Sequence, residues 1–283
     1  MIQCRSLSFR YSRNVSLFEN LSFTMEPGHI VGLFGRNGAG KTTLLKLMAG
    51  FLKPVSGSIR VNGQEPFARS KEFLDRIAFV PEDFRLPDIS VGQLAGQYGS
   101  FYSGFRNSLF LELISQFELT PGDHLSRISF GQGKKALLAF AISTNPSILF
   151  LDEPMNGLDI PAKQSLRTML LRHMPEQSLT LVSTHQVREI TNLVSSVAVI
   201  HQARIIMNAD LATISSKVRM YHSKEKPEET SALYSEPAMG GYLVVAERNG
   251  EPETEMDLEL LFNAVNAQPK FFENLMKSEV QYA

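Results

Sequence analysis

The chain has 283 residues with 28 Lys/Arg against 29 Asp/Glu, a formal charge of −1, so charge makes no case for nucleic-acid binding by the chain as a whole. Hydrophobic residues make up 43% and charged residues 20%, an ordinary globular mix with ample core material for one or two domains. The single cysteine, Cys4, excludes an intramolecular disulfide and a cysteine-based metal cluster, and no apolar run approaches the ~18–20 residues of a spanning helix. One cysteine fits a reducing compartment. The polar start MIQCRSLSFRYSR lacks the long apolar stretch of a signal peptide. The expectation from these features alone is a soluble intracellular protein without membrane business.

The first clear element is the apolar run His29–Phe34, a buried-strand candidate. Gly35-Arg36-Asn37-Gly38-Ala39-Gly40-Lys41-Thr42 follows and matches G-x-x-x-x-G-K-[ST] at every fixed position. Thr43–Ala49 is rich in helix formers and stops at Gly50. The motif therefore sits between a strand and a helix, as its chemistry requires. Gly35, Gly38 and Gly40 allow a tight turn that brings N–H groups to phosphate oxygens. The helix that follows aims its positive N-terminus at the anion. Lys41 is a point charge for the β- and γ-phosphates, the Thr42 hydroxyl is a ligand for Mg²⁺, and Thr43 adds a phosphate hydrogen bond. The plain alternative is a glycine-rich turn with a surface lysine.

Further along, Ala78-Phe79-Val80-Pro81-Glu82 precedes residues 84–128, which read as largely helical and aromatic-rich. Phe101–Phe105 and Phe110–Ile114 suit the core of a small helical subdomain, and also the floor of a surface groove. Ser129-Phe130-Gly131-Gln132 fits S-x-x-Q, a capping box that opens the apolar helix Ala136–Ile142. Such a capped end is also an anion site. Ile148–Asp152 is a second buried strand, ending in the pair Asp152-Glu153 before Pro154. Adjacent strand residues face opposite ways, so a turn after Asp152 lets the two acids serve different roles. Asp152 suits the shell of Mg²⁺; Glu153 suits orienting and deprotonating a water aimed at the γ-phosphate. Solvated loop acids are the alternative. His185 follows the apolar stretch Leu179–Val182; a lone histidine at a strand end is more often structural. His29, His124, His173, His201 and His222 read as surface or packing residues.

Composition shifts near residue 216. From Lys217 onward there are 7 Lys/Arg against 12 Asp/Glu, and the first 216 residues carry 21 against 17. Lys224–Thr230 reads as a linker or exposed loop. Gly240–Ala246 reads as a strand opened by a glycine pair, Glu251-Pro252-Glu253 breaks the chain, and Asp257–Val265 has helical character with Asp257 at its start. A unit this small cannot hold a core alone, so it is expected to dock on the main domain or on a dimer mate.

In this order, the motifs resemble the ATP-binding subunits of ABC transporters, from about Ile2 to Ile214. Gly35–Thr42 corresponds to the Walker A loop and Ile148–Asp152 with Glu153 to Walker B. Met155-Asn156-Gly157-Leu158-Asp159 looks like the D-loop, and Ser183-Thr184-His185 like the switch-histidine motif. Ile128–Gln132 stands for the LSGGQ signature, 23 positions before Asp152 measured from Ser129. Pro146 also falls where the family has proline. The resemblance implies an α/β P-loop NTPase core with a mixed sheet, an N-terminal antiparallel β subdomain, a helical subdomain at about 84–146 and a small α+β extension. The domains would be 1–216, the ATP-binding domain, and 217–283, the acidic extension.

The resemblance also implies ATP and Mg²⁺ as ligands. Tyr11 would stack on adenine; Arg36, Asn37 and Ala39 complete the phosphate loop; Ser129, Gly131 and Gln132 would reach the γ-phosphate held by a second subunit, homo- or heteromeric. His185 would contact the γ-phosphate. A multi-spanning permease would hold the chain on the cytoplasmic face of the membrane, and nucleic acid is not expected. Two positions depart from the family pattern. Glu82 replaces the Q-loop glutamine; it still suits Mg²⁺ or water, but as a carboxylate it only accepts hydrogen bonds. Phe130 replaces the first signature glycine, so its backbone should be ordinary. Both departures resemble ABC-2-type exporters. The competing functions are a soluble ABC-type ATPase not coupled to transport and a nucleotide-binding regulator with little turnover. Glu153 and His185, which fill both hydrolytic positions, argue against the regulator.

Overall fold

The structure, a computed structural model, describes residues 1–12, 15–228 and 231–277. Along the chain come strands β1 (Ile2–Ser12), β2 (Val15–Met25) and β3 (Ile30–Phe34), helix α1 (Lys41–Met48), strand β4 (Ser56–Val61), helix α2 (Lys71–Asp75) and strand β5 (Ile77–Val80). Helices α3 (Val91–Tyr98), α4 (Asn107–Gln116) and α5 (Phe130–Ser143) lead to strand β6 (Ile148–Asp152), helix α6 (Ile160–His173) and strand β7 (Leu179–Thr184). Strands β8 (Ser196–His201) and β9 (Arg204–Asp210), helix α7 (Leu211–Lys217), and strands β10 (Val218–Ser223), β11 (Tyr234–Ala238) and β12 (Gly241–Glu247) follow. Helices α8 (Leu258–Ala267) and α9 (Pro269–Lys277) complete the described part. These elements form two compact units, residues 1–30 with 41–184 and residues 31–40 with 185–283.

The first unit holds two sheets. In the antiparallel one, β1 lies between β2 and β4. Its inward set changes parity, from Ile2 and Cys4 to Leu7 and Phe9, because a register shift with Ser6 at φ +47° inserts a bulge. In the other, β6 pairs in parallel with β5 on one side and β7 on the other. Every residue of β6 is buried, which is why Ile148–Leu151 reads as a continuous apolar run. Parallel strands put their carboxyl ends along one edge, where ligands of open α/β sheets bind. That edge receives Glu82, the pair Asp152-Glu153, and Ser183. Helix α1 ends in a Schellman motif: Phe51 N donates to Lys46 O and Gly50 N to Leu47 O. Gly50 is at φ +76°, where a Cβ would lie 2.2 Å from Pro66 O, so the expected helix stop is also a close backbone approach.

The segment 84–128 is less helical than its composition implies. Only α3 and α4 form long helices there, because Pro87, Gly104, Pro121 and Gly122 interrupt it. The aromatic core reading holds for Phe110, which is buried and rings with Phe105 and Phe140 of α5. Phe101 is 70% exposed. Helix α5 begins at Phe130, earlier than the apolar run alone implies, directly after the Ser129–Gln132 capping box.

In the second unit, β3 pairs in parallel with β8, and β8 pairs antiparallel with β9, a mixed arrangement. A separate antiparallel sheet has the order β10-β12-β11. The expected division near residue 216 falls inside this unit: residues 185–216 pack with the C-terminal segment. Phe262 of α8 meets Phe34 of β3 edge-to-face at 6.2 Å. Asn266 hydrogen-bonds His201 at 2.9 Å, and Lys217 Nζ donates to Leu275 O at 2.9 Å. Helix α9 packs along β9 with Phe272 fully buried. Glu229 and Thr230 of the expected linker lie outside the described residues. Among the described residues no helix is long and apolar enough to cross a membrane.

The docking of α9 is testable. Phe272→Ala should remove about 3–5 kcal/mol of unfolding free energy, seen as a lower urea midpoint for the unit that contains it.

Candidate functional site

The glycine turn follows β3 in the second unit. Gly35 is buried, and a Cβ there would stand 2.9 Å from Ile200 O, so only glycine fits at the end of this strand. Gly38 takes φ +78° with open space around it. Arg36, Asn37 and Gly38 are exposed and Ala39 is half-buried, its N–H donating to Arg36 O. The backbone of the turn is thus presented to solvent, and Gly40 runs straight into α1.

In the first unit, side chains from four elements converge at the carboxyl ends of β6 and β7. Asp152, 1% exposed, accepts from Thr42 Oγ1 at 3.0 Å and Ser183 Oγ at 2.6 Å, both on Oδ1. These charge-assisted bonds satisfy a carboxylate that burial would otherwise penalise. The next residue, Glu153, is also buried and lies at φ +45°, the left-handed region. Its N–H is held by Ser183 O at 3.0 Å, and Asn156 N closes the following turn on Glu153 O. The strained turn separates the two acids, as the sequence implies; such strain concentrates at functional positions. Lys41 Nζ lies 3.7 Å from Glu153 Oε1. Burial lowers the Lys41 ammonium pKa below the ordinary lysine value, opposed by the charges of Glu153, Asp152 and Glu82. Thr43 is buried, and its hydroxyl shares a 2.9 Å hydrogen bond with Tyr11 OH. Tyr11 is 64% exposed and braced edge-on by Phe9.

A second cluster joins the Glu82 loop, the start of α5 and the turn after β6. Ser129 and Gln132 form both bonds of the capping box at 3.2 and 3.0 Å. The Ser129 hydroxyl accepts here, so its O–H remains a donor for an anion. Phe130 is helical and stacks on Phe84 at 4.5 Å with 14° between planes. This stack accounts for a bulky residue in place of glycine. At Gly131 a Cβ would fall 2.7 Å from Gly157 O, so the second signature glycine is needed for contact with the D-loop. Glu82 Oε1 accepts from Asn156 Nδ2 at 3.1 Å. Asp159 caps α6 through Ala162 N at 2.8 Å and pairs with Lys135 at 3.3 Å. His185 is exposed just after β7.

Sequence reasoning overlooked two participants. Ser183 was legible only as part of a motif, yet its hydroxyl holds Asp152. Lys134 is 0% exposed and donates to Glu153 O at 2.7 Å and Asn156 O at 3.1 Å. Nothing in the local pattern distinguishes it from its neighbour Lys135, because burial depends on what packs over the helix.

Comparison with known proteins bears on this arrangement. The family model for ABC transporters matches residues 18–156. The Nod factor export ATP-binding protein I of Burkholderia lata is 30% identical over 224 residues, 77% of this chain and 73% of that protein. The chain belongs to the ABC transporter ATP-binding proteins. Mycobacterium tuberculosis Rv1747, an ABC transporter ATP-binding/permease protein, is 28% identical over 65% of this chain, and the match spans only 22% of that longer protein. A dimeric, post-hydrolysis structure of the ATP-binding cassette MJ0796 bound to ADP and Pi shares the fold at 19% identity. Its TM-score is 0.65, covering 75% of this chain and 99% of that one. The α/β P-loop fold and ATP hydrolysis expected from the motifs thus stand as family properties of this ABC protein.

Gly131→Ala should press on the D-loop carbonyl and cost about 1–3 kcal/mol, measured as a fall in melting temperature together with a fall in ATPase rate.

Proposed function

We propose that this ABC ATPase powers an exporter as one half of a head-to-tail dimer docked on a separate multi-spanning permease at the cytoplasmic face of the membrane. The observation that carries the site assignment is the convergence of Lys41 and Thr42 with Asp152 and Glu153. Lys41 binds the β- and γ-phosphates of ATP. Backbone N–H groups of the Gly35–Gly40 turn, Arg36, Asn37 and Ala39 included, cradle the phosphates, Thr43 adds a hydrogen bond, and Tyr11 stacks on adenine. Glu153 orients the incoming water and takes its proton. His185 contacts the γ-phosphate. Ser129, Gly131 and Gln132, at the capped start of α5, serve the nucleotide held mainly by the partner subunit. Closure of the dimer on two ATP and its reopening after hydrolysis drive transport.

Thr42 Oγ1 and Asp152 Oδ1 stand 3.0 Å apart, close to the ~2.9 Å edge of an octahedral Mg²⁺–oxygen shell with bonds near 2.0–2.1 Å. Mg²⁺ at phosphate sites is held by one or two protein oxygens plus phosphate and water. Thr42 and Asp152 would hold Mg²⁺, with Glu82 approaching through water. The ion supplies charge neutralisation at the phosphates.

Coupling to a permease is supported by a cleft of about 690 Å³ lined by Phe84, Arg85, Leu86, Tyr98, Phe101 and Phe140. Exposed aromatic rings around a groove fit a short amphipathic helix. Rv1747 carries ATP-binding and permease functions in one protein, and this chain matches a fraction of it. Export follows the Nod factor relative and the Glu82 and Phe130 departures.

Glu153→Gln should cut ATP hydrolysis at least ~10²-fold while retaining ATP binding; hydrolysis at the wild-type rate would refute the assignment of Glu153. Removing divalent cation with chelator should stop turnover, and Mg²⁺ should restore it. Phe101→Asp should abolish co-purification with a membrane protein from solubilised membranes, with little change in melting temperature because the ring is exposed.

A further inference from the structure

Lys134 is a fully buried ammonium in a chain whose other site cation, Lys41, already faces the phosphates. Its two acceptors are main-chain carbonyls, Glu153 O at 2.7 Å and Asn156 O at 3.1 Å. These carbonyls flank a single turn, the one in which Asn156 N also donates to Glu153 O at 3.2 Å. Glu153 within that turn is held in the left-handed region. A non-glycine residue stays there only where its surroundings over-determine it. Lys134 therefore clamps the strained turn from the side of α5.

The same turn is tied to the Glu82 loop. Asn156 Nδ2 donates to Glu82 Oε1 at 3.1 Å. Phe84 stacks on Phe130, and Leu86 lies where a side chain on Gly133 would be, 2.4 Å from its would-be Cβ. The loop thus packs on the first turn of α5, which carries Lys134. Neutral carbonyls do not balance a buried ammonium. Desolvation pulls the Lys134 pKa down, and the Glu82 carboxylate is the strongest of the charges that sustain its protonated form, followed by Glu153 and Asp152. The Q-loop glutamate and the buried lysine of the signature helix thus hold the same residue, Asn156, one through its side chain and the other through its carbonyl.

We propose that Lys134 is a positioning residue for ATP hydrolysis, fixing the main chain of Glu153 and the D-loop, with Glu82 as its charge partner through Asn156. This rests on the assignment of Glu153 as the group that activates water. Glu82 acquires a second role beside any approach to the metal, and the glutamate that departs from the family pattern has a physical reason to be there.

The test is steady-state ATPase kinetics on the full chain for wild type, Lys134→Met, Lys134→Gln, Glu82→Gln and the Glu82→Gln/Lys134→Gln double variant. The single Lys134 variants should lose about ten-fold or more in kcat with KM for ATP within about two-fold, the signature of a lost transition-state interaction. The double variant should recover about two-fold over Lys134→Gln, to about five-fold below wild type, since it removes the uncompensated carboxylate. A kcat within about two-fold of wild type, or a KM that rises in step with the loss of kcat, overturns positioning. A double variant no faster than Lys134→Gln overturns the link to Glu82. If the single variants are insoluble, the double variant decides: soluble with kcat about five-fold below wild type supports the proposal, and insoluble or at the wild-type rate overturns it. Glu153→Gln is run alongside. If it hydrolyses at the wild-type rate, the assignment of Glu153 has failed; if it is inactive while Lys134→Met is active, only the present proposal has failed.

Discussion

Two carboxylates at the end of a wholly buried strand impose the condition that the rest of the site satisfies. A buried, ionised carboxyl group is tolerated only when donors or cations surround it. Asp152 is met by the hydroxyls of Thr42 and Ser183, and Glu153 by the ammonium of Lys41. The Glu153 carbonyl is in turn held by Lys134. Those groups come from three elements: Lys41 and Thr42 from α1, Ser183 from β7 and Lys134 from α5. Satisfying the end of β6 thus forces the phosphate-binding helix, the central parallel strands and the signature helix to agree on one geometry. Substrate phosphate, with its own charge, would enter a site already organised around charge balance.

The departures from the family pattern follow from the same condition. Phe130 is accommodated because Phe84 offers a parallel ring, and its helical backbone avoids the conformations that favour glycine. Gly131 could not change in this way, because the D-loop carbonyl of Gly157 occupies the space. Glu82 adds a negative charge where glutamine would be neutral, and it holds the Asn156 side chain of the turn whose carbonyl the buried Lys134 holds. Substitutions that look weakening one at a time are consistent with their neighbours when the pairs are considered together.

The acidic C-terminal segment is not a loose tail. Its helices α8 and α9 cover β3, β8 and β9 through Phe262, Asn266 and Phe272, so its apolar residues complete a core that starts far earlier in the chain. The composition change near residue 216 marks where a new sheet begins, β10 at Val218, and not where packing stops. Charge reports solvent-facing residues, and it is silent about the apolar ones that join two segments.

Local order was legible in the sequence wherever one short stretch carries the whole physical reason. The strand, glycine turn and helix at 29–50, the capping box at Ser129–Gln132, the buried run of β6 and the turn after Asp152 all belong to this class. What the sequence alone could not decide were the meetings between distant stretches: Ser183 with Asp152, Lys134 with the Glu153 turn, Glu82 with Asn156, and α9 with β9. A hydrogen bond or a buried charge depends on which surfaces packing brings together, and one lysine beside another carries no local mark of which is buried. The sequence by itself determined the elements and the chemistry of the Walker motifs. Only the tertiary structure decided which groups neutralise which, because burial is a property of the packed chain and not of any residue in it.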